Sequence, residues 1–536
     1  MPKSKENHFD VIIVGAGSAG CALAYRVAAN SDLSVLLVEA GSPARNPMLH
    51  IPLGFAFLLK DHPNNWCYRT QPERHLAQRE VELPRGKVLG GCSAINGMVY
   101  VRGQAADYDR WAELGNDGWS YQEVLPYFRR SEHHHDGANS YHGQDGPLWV
   151  GAVDNEFPIC DAFIEAAQQA GHAANSDING TTQEGVGFFP TNIKKGRRHS
   201  SASAFLSAGK RLPNLCVLTH TMTQRVLFDG LRATGIECIS NGQRTVFHAK
   251  HEVILSAGAI NSPKILELSG VGQASLLQQH DIPLVQHLPG VGENLHDHWN
   301  SYIKRSVTSG ATYYSESKPA AIMRNLLRYL VTRRGFISNP AALVAVFYKA
   351  LDEAERADAL IHFAPAASNV DAKGNLVPID GITVASCGVR PTSRGSTHIH
   401  SADAEQPPAI TVNFLQTEHD QQVAIAAFKK AREICEGDAL TPFGGAELEP
   451  GIAIGSDADI LDYIRTTGEP VHHLAGSCRM GNDELAVVDS ALRVRGVDNL
   501  RVADASIMPE LVSGNTHAAC VMIAEKAADL VLAKAG

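Results

Sequence analysis

The sequence predicts an α/β fold: a Rossmann-like dinucleotide-binding domain assembled from distant segments, with an α+β substrate-binding domain inserted into it. Three observations predict it. The chain opens with a strand, a glycine turn and a helix in one continuous stretch. A second buried strand with a small-residue turn returns far downstream, at Glu252 to Gly258, and the last segment resumes that style after a long stretch of different character.

The first element is the apolar run Phe9 to Val14, followed by Gly15-Ala16-Gly17-Ser18-Ala19-Gly20 and an Ala-rich run to Ala29. A parallel strand feeding such a turn leaves unpaired amides at a helix N-terminus, where a pyrophosphate can sit. The third glycine, Gly20, lets helix and strand pack closely. A second apolar run, Val35 to Val38, ends at Glu39, about 20 residues beyond the turn, where a carboxylate can hydrogen-bond an adenosine ribose.

From Asp61 to Gly103 the chain is rich in turn residues and contains Gly90-Gly91-Cys92-Ser93-Ala94-Ile95-Asn96-Gly97. Small residues in such a run let backbone approach a flat ligand. Thr223 to Ala249 reads as a hairpin region, and Glu252 to Leu255 as a buried parallel strand lying beside the first. A helix follows over Ser262 to Leu268, closed by Ser269-Gly270-Val271-Gly272. Residues 300 to 465 mix strands and helices without dinucleotide features. Leu500 to Val502 then reads as a strand, Asp504 to Ser506 as a turn, and Thr516 to Ala535 as a helix. The ordering predicts a dinucleotide domain over 8–155, 195–300 and 466–536, with 156–194 and 301–465 forming the substrate domain.

Composition narrows the function classes. At 536 residues the chain exceeds one ordinary core. A hydrophobic share of 44% with 19% charged residues describes a globular enzyme rather than a disordered or fibrous chain. The net charge of -10 argues against a nucleic-acid partner and gives no reason to expect attraction to an acidic membrane. Met1 to His8 is polar and lacks the apolar core of a signal peptide. No stretch approaches the roughly 18 uninterrupted apolar residues of a spanning helix. The expectation is a cytoplasmic protein with no integral membrane segment, peripheral contact being left open. Ten scattered cysteines without a CxxC pair read as reduced thiols. The run His133-His134-His135 lies among polar residues and reads as a solvated loop, so no metal site is expected.

Taken together, several segments resemble the glucose-methanol-choline (GMC) flavoprotein oxidoreductases, over nearly the whole chain. The matching stretches are Gly15 to Gly20 with Glu39, Gly86-Lys87-Val88-Leu89-Gly90-Gly91, Gly258 to Gly272, Pro289 to Leu295, and His473 to Gly481 with Arg501 to Pro509. Tyr100 to Gly103 and Ala106 to Trp111 resemble the choline-dehydrogenase-like and alcohol-dehydrogenase-like branch. The resemblance makes the dinucleotide FAD. It places the adenosine on Glu39, the pyrophosphate on the Gly15, Gly17, Ser18 and Gly20 turn, and the isoalloxazine against the loop of Gly90, Gly91, Asn96 and Gly97. It gives Val226 a backbone contact to adenine and sets Asp504 and Ala505 at the flavin end. Members with covalent flavin carry a histidine just before the loop asparagine; Ile95 stands there, which implies noncovalent FAD.

Oxidising an alcohol requires loss of a hydroxyl proton held with a pKa of about 15.7, so a positioned base is needed, and histidine suits operating pH. The resemblance puts His473 in that role and His517 as its partner facing flavin N5. His472 is expected to point away, as neighbours in a strand do. His517 is also readable as a structural hydrogen-bonding residue. The N-terminus of the last helix either favours the reduced flavin anion, by roughly 0.3 to 1 kcal/mol, or simply closes the domain. The implied substrate is a small primary alcohol, with electrons passed to a quinone or other carrier. An oxygen-reducing oxidase and a lyase or photodecarboxylase are the alternatives. Pro340 to Phe347 and Ile361 to Pro365 are apolar and serve either as core or as pocket lining.

Overall fold

The computed structural model describes residues 7–59, 61–209, 212–240, 242–370 and 376–535. Residues 1–6 of the polar N-terminal stretch lie outside them.

Two seven-stranded sheets organise the chain. In the first, the order is Leu215–Leu218, Val35–Val38, His8–Val14, Gln243–Leu255, Arg232–Ser240 and Thr221–Asp229, with Leu500–Val502 also pairing with Gln243–Leu255. The strands from Leu215–Leu218 to Gln243–Leu255, and Leu500–Val502, pair in parallel. Val11 to Ile13 and Val35 to Leu37 are fully buried, as parallel strands covered on both faces must be. The region from Thr223 to Ala249 is a three-stranded meander, and its last strand runs on without a break. Residues 243–248 pair antiparallel with Arg232–Ser240, whereas 252–255 pair parallel with 11–14.

The first and last helices, Ser18–Ala29 and His517–Ala535, pack together. The carboxylate of Glu525, fully buried, receives Arg26 at 2.7 and 2.8 Å and Arg130 at 2.7 Å. The helix expected from Ser262 begins four residues earlier, spanning Gly258–Leu268. Pro263 therefore sits inside it and cannot donate to the Ala259 carbonyl. The Ser477 hydroxyl donates to that carbonyl instead, at 2.6 Å.

The second sheet is antiparallel, in the order Glu447–Glu449, Trp299–Ser306, Gly381–Gly388, Ala359–Ala364, Val344–Tyr348 and Gly185–Phe188, with Glu469–Pro470 also pairing with Trp299–Ser306. The helix Glu418–Cys435 lays Ala427, Phe428, Ala431 and Ile434 into its core. Ile361 and Phe363 join that core, whereas their alternates His362 and Ala364 face a cavity. Ile361 to Pro365 is thus core on one face and lining on the other, as the period of two in a strand requires, whereas Val344–Tyr348 is buried on both faces and only Ala341 and Ala342 ahead of it line the cavity.

The histidine run is not a solvated loop. Glu132–His134 forms a short strand paired with Leu148–Val150, and the His134 ring stacks on His142 with centroids 4.0 Å apart. His142 bridges Glu132 and Asp177, at 3.0 Å each, and Glu132 also holds Arg102 at 2.6 Å. Among the described residues no disulfide is formed.

Candidate active site

A cavity of about 570 Å³ lies between the two sheets, at the C-terminal ends of the parallel strands His8–Val14, Val35–Val38 and Gln243–Leu255. Ligands of doubly wound sheets bind in that place. Gly15, Gly17, Ser18, Glu39, Gly91, Asn96, Gly97, His473, Asp504, Ala505 and His517 all line it. Three of the sequence-predicted residues do not: Gly20, Gly90 and Val226.

Gly20 and Gly90 act from behind the wall. A Cβ on Gly20 would stand 1.9 Å from the Gly15 carbonyl oxygen, so only glycine allows the helix to meet the turn. The Gly90 amide donates to the Ala16 carbonyl at 2.8 Å, which docks the second glycine loop on the first. At Gly91, with φ 51°, an added Cβ would meet the Gly17 Cα at 2.7 Å. Val226 is a correction. Its amide is taken by the Ser269 hydroxyl at 2.8 Å, and the strand reaches the cavity three residues earlier, through Thr221, Met222 and Thr223. The pairing slips between Thr223 and Arg225, beyond the cavity-lining residues.

The helix Ser18–Ala29 has Gly17 at its N-cap and no side-chain cap, leaving its first amides to a ligand. Glu39 is fixed: one oxygen accepts the Ala16 amide at 3.0 Å and the other the Gly41 amide at 2.8 Å. Burial raises its pKa to about 7 against those two hydrogen bonds. Each oxygen keeps a lone pair for a ribose hydroxyl. Asp504 is saturated, accepting the Gly258 amide and Ser262 hydroxyl on one oxygen and the Ser506 amide and hydroxyl on the other. It braces two turns at the cavity wall.

At the opposite end the lining is made of side chains from several segments. His473 Nδ1 lies 2.9 Å from His298 Nδ1, and His298 Nε2 lies 3.0 Å from the Val389 carbonyl. Burial drives both pKa values down, that of His298 to about 4 and that of His473 well below its ordinary value, so both rings are neutral. The carbonyl accepts only, which assigns the His298 proton to Nε2 and makes its Nδ1 an acceptor. His473 must then carry its proton on Nδ1. Its Nε2, 3.0 Å from the Asn515 amide nitrogen, bears the lone pair. Asp297 fixes the backbone beneath, one oxygen accepting the amides of His298 and His473 at 2.7 Å.

His472 also lines the cavity, and it is not in a strand. Its φ of 67° turns the chain there, its carbonyl accepts Arg85 at 2.7 Å, and its buried Nδ1 has no partner among the described residues. Both ring nitrogens of His517, Nδ1 of His362 and the Asn515 carbonyl oxygen are likewise buried without a partner among the described residues. Buried polar atoms are normally satisfied, so this group marks where a polar ligand completes the site. His517 opens the last helix, whose N-terminus faces the cavity through Asn515, Thr516 and His517. His362 entered the sequence reading only as part of the apolar stretch Ile361 to Pro365, and no role was given to His298 or Asn515. Their signals were the second histidine of His296-Asp297-His298, directly after the Pro289 to Leu295 block, and the asparagine two residues before His517. Nothing in the sequence marked His362.

Backbone cradle, ribose carboxylate and unsatisfied reaction end together fit a flavin dinucleotide. The comparisons agree. Models of the GMC oxidoreductase family match residues 9–300 and 391–524. Mitochondrial choline dehydrogenase of Mus musculus is 41% identical over 98% of this chain and 90% of its own length. The oxygen-dependent choline dehydrogenase of Citrobacter koseri is 42% identical over 98% and 95%. Among solved structures, pyridoxine 4-oxidase from Mesorbium loti superposes with a TM-score of 0.88 at 30% identity, over 97% of this chain and 98% of that one. Formate oxidase of Aspergillus oryzae RIB40 reaches 0.91 at 25% identity, over 98% of each. The chain belongs to the GMC oxidoreductase family. It is an FAD-dependent oxidoreductase acting on alcohols.

Proposed function

We propose that the enzyme oxidises neutral primary alcohols with apolar tails to aldehydes, using noncovalent FAD and passing the electrons to a quinone or another carrier. One observation carries the substrate class: the only carboxylates lining the cavity, among the described residues, are Glu39 and Asp504. Glu39 is at the adenosine end and Asp504 is saturated by four donors, so neither is free to hold a quaternary ammonium. The wall on the side of the second sheet carries Ala341, Ala342, Ala364, Thr383 and Ala385 around His362, with Asn300 and Tyr302 adding an amide and a phenol. Burying a methylene against such a wall contributes about 0.8 kcal/mol.

In this reading His473 Nε2 takes the hydroxyl proton while its Nδ1–H keeps donating to His298 Nδ1, so the imidazolium that forms on His473 is hydrogen-bonded to a neutral acceptor. Asn515 and His517 orient the substrate oxygen. FAD, when bound, supplies N5 as the hydride acceptor. A neutral, buried His473 is already in its proton-accepting form at neutral pH, which is what a general base requires. Ile95, buried beside the loop asparagine, offers no nucleophile to the flavin. Seven of the cysteines, Cys21, Cys160, Cys238, Cys387, Cys435, Cys478 and Cys520, are buried thiols, which suits a reducing, cytoplasmic setting.

The deciding experiment is anaerobic flavin reduction by a panel of alcohols, followed by mixing with air or with a quinone analogue. Efficiency rising over the first added methylenes, with rapid reoxidation by the quinone, is the expected result. The 41% identity to a choline dehydrogenase favours a second reading in which choline is the substrate. Flavin reduced faster by choline than by any uncharged alcohol would establish that one. Rapid reoxidation by air alone would make the enzyme an oxidase. Acid precipitation is expected to leave FAD in the supernatant; colour in the pellet means a covalent bond.

A further inference from the structure

The helix Pro319–Thr332 is amphipathic in the wrong sense for a core element. Its inward residues are Asn325 and Tyr329, with Ile322 half-buried. Its outward residues are apolar: Met323 is 58% exposed, Leu326 42%, Leu327 58%, Leu330 57% and Val331 84%. At 3.6 residues per turn these five, with Pro319 and Ala320, cover an arc of about 140°. Single exposed apolar residues are ordinary, but five within nine positions on one helix face form a contiguous patch, and such patches mark interaction sites.

The charges around the stripe say what it meets. Arg324 and Arg328 flank it and are neutralised by Glu316 and Glu156. At the C-terminal end Arg333 and Arg334 follow directly, and the hairpin of Ile193–Lys194 and Arg197–Arg198 is pressed against them, the Tyr329 hydroxyl donating to the Gly196 carbonyl at 2.9 Å. That hairpin exposes Lys195 and Arg197. Four basic residues thus gather at the end of an apolar stripe on a chain whose net charge is -10. The neighbouring segment Pro52–Phe57, which contacts Phe336–Ser338, adds Phe57 at 69% exposure. The same segment walls the cavity through Phe55, so the patch lies beside the active site.

We propose that this face docks on an anionic lipid bilayer, the apolar stripe entering the interface and Lys195, Arg197, Arg333 and Arg334 meeting lipid phosphates. An apolar helix face with basic residues at its edge lies in the plane of a membrane interface, and its affinity combines buried apolar area with attraction to anionic lipid. The overall negative charge does not oppose this, because potentials are screened within about 8 Å at physiological salt, so the local basic cluster governs contact. A partner protein of ordinary polarity would leave the stripe's basic end without a counterpart. The docked orientation sets the cavity beside the phase in which apolar alcohols and quinones dissolve.

The test is flotation of the full-length holoenzyme with vesicles of phosphatidylcholine containing phosphatidylglycerol, and with phosphatidylcholine alone. Binding is expected to be at least about tenfold tighter to the anionic vesicles and to weaken with salt. Leu327→Glu/Leu330→Glu is expected to abolish it, and Arg333→Glu/Arg334→Glu to remove the anionic preference. Turnover of a water-soluble alcohol by both variants must stay unchanged, which shows that they are folded. Failure to float with either vesicle overturns the proposal, as does binding indifferent to both variants. Concentration-dependent self-association of the wild type, lost in Leu327→Glu/Leu330→Glu, would assign the stripe to a second copy of the chain instead.

Discussion

The two ends of the cavity are built on opposite principles. At the adenosine end the groups that face a ligand are backbone amides and one carboxylate already held by the Ala16 and Gly41 amides. At the reaction end they are side chains drawn from residues 362, 472, 473, 515 and 517, with His298 behind His473, and several have buried polar atoms unmet among the described residues. A backbone cradle is rigid and complete before the ligand arrives, so it binds. A set of unsatisfied imidazoles and an amide is incomplete alone, and its missing interactions are made only with a reacting partner. Binding and chemistry should therefore separate under mutation.

The sharpest separation is expected at His473. Replacing it by alanine should slow anaerobic flavin reduction by about 10² to 10⁴, the usual contribution of a positioned base, with FAD content unchanged. If His472→Ala proved the more damaging of the adjacent pair, the base would be assigned to the wrong imidazole. His298→Leu removes the acceptor of the His473 Nδ1 proton and frees the ring to take the other tautomer. Flavin reduction is expected to fall between about 10- and 100-fold, the scale of a misplaced reacting group. His298→Gln, which still offers an acceptor and a donor, should recover most of it; no recovery would reduce His298 to a packing residue.

The opposite end should respond in the other variable. Glu39→Gln turns one carboxylate oxygen into an NH₂ facing a buried amide, and FAD affinity is expected to drop about tenfold, while the rate of the fully loaded enzyme holds. A changed rate at saturating FAD would break the division of labour. Acid provides a smaller, graded test. His298 and His517 have pKa values near 4 in the fold against about 6.5 in an unfolded chain. Between those values the unfolded state binds the protons, so stability is full above about pH 6.5 and declines as pH falls toward 4. The slope is at most about 1.4 kcal/mol per pH unit for each histidine. Denaturant midpoints across that range should show it, and His517→Asn should flatten it. The same His517→Asn variant is expected to slow flavin reduction by less than about tenfold, because asparagine can still hydrogen-bond the substrate oxygen.

How much was legible in the sequence follows the same division. The cradle depends on local spacing, so Gly15 to Gly20, Glu39 and the Gly90 to Gly97 loop were readable within one continuous stretch each. His473 and His517 came through motifs that carry their neighbours with them. His298 and His362 did not, because a histidine on a strand of the second sheet, or just before one, looks like any buried histidine until the fold sets it against residue 473 or 515. Val226 came only through the resemblance, and no local pattern could show that its amide is taken by the Ser269 hydroxyl, a residue distant in sequence. His472 was set apart from His473 by assuming a strand, whereas it stands at a left-handed turn and lines the same cavity. The early helix start at Gly258 was hidden by Pro263, which normally opens a helix rather than sitting inside one.

Glu525 ties the beginning of the chain to its end. It lies ten residues before the last described position, yet its partners are Arg26 on the first helix and Arg130, and the central strand Gln243–Leu255 waits for Leu500–Val502 on its open side. On a ribosome, which delivers the chain from the N-terminus at about 5 to 20 residues per second, the glycine turn emerges first and stands longest without its closing helix. His517, the helix it opens and the carboxylate that anchors Arg26 arrive together, long after the glycine turn. The reaction centre cannot assemble before that helix is made, and a chain broken off ahead of it holds a nucleotide turn without the residues that face it across the cavity.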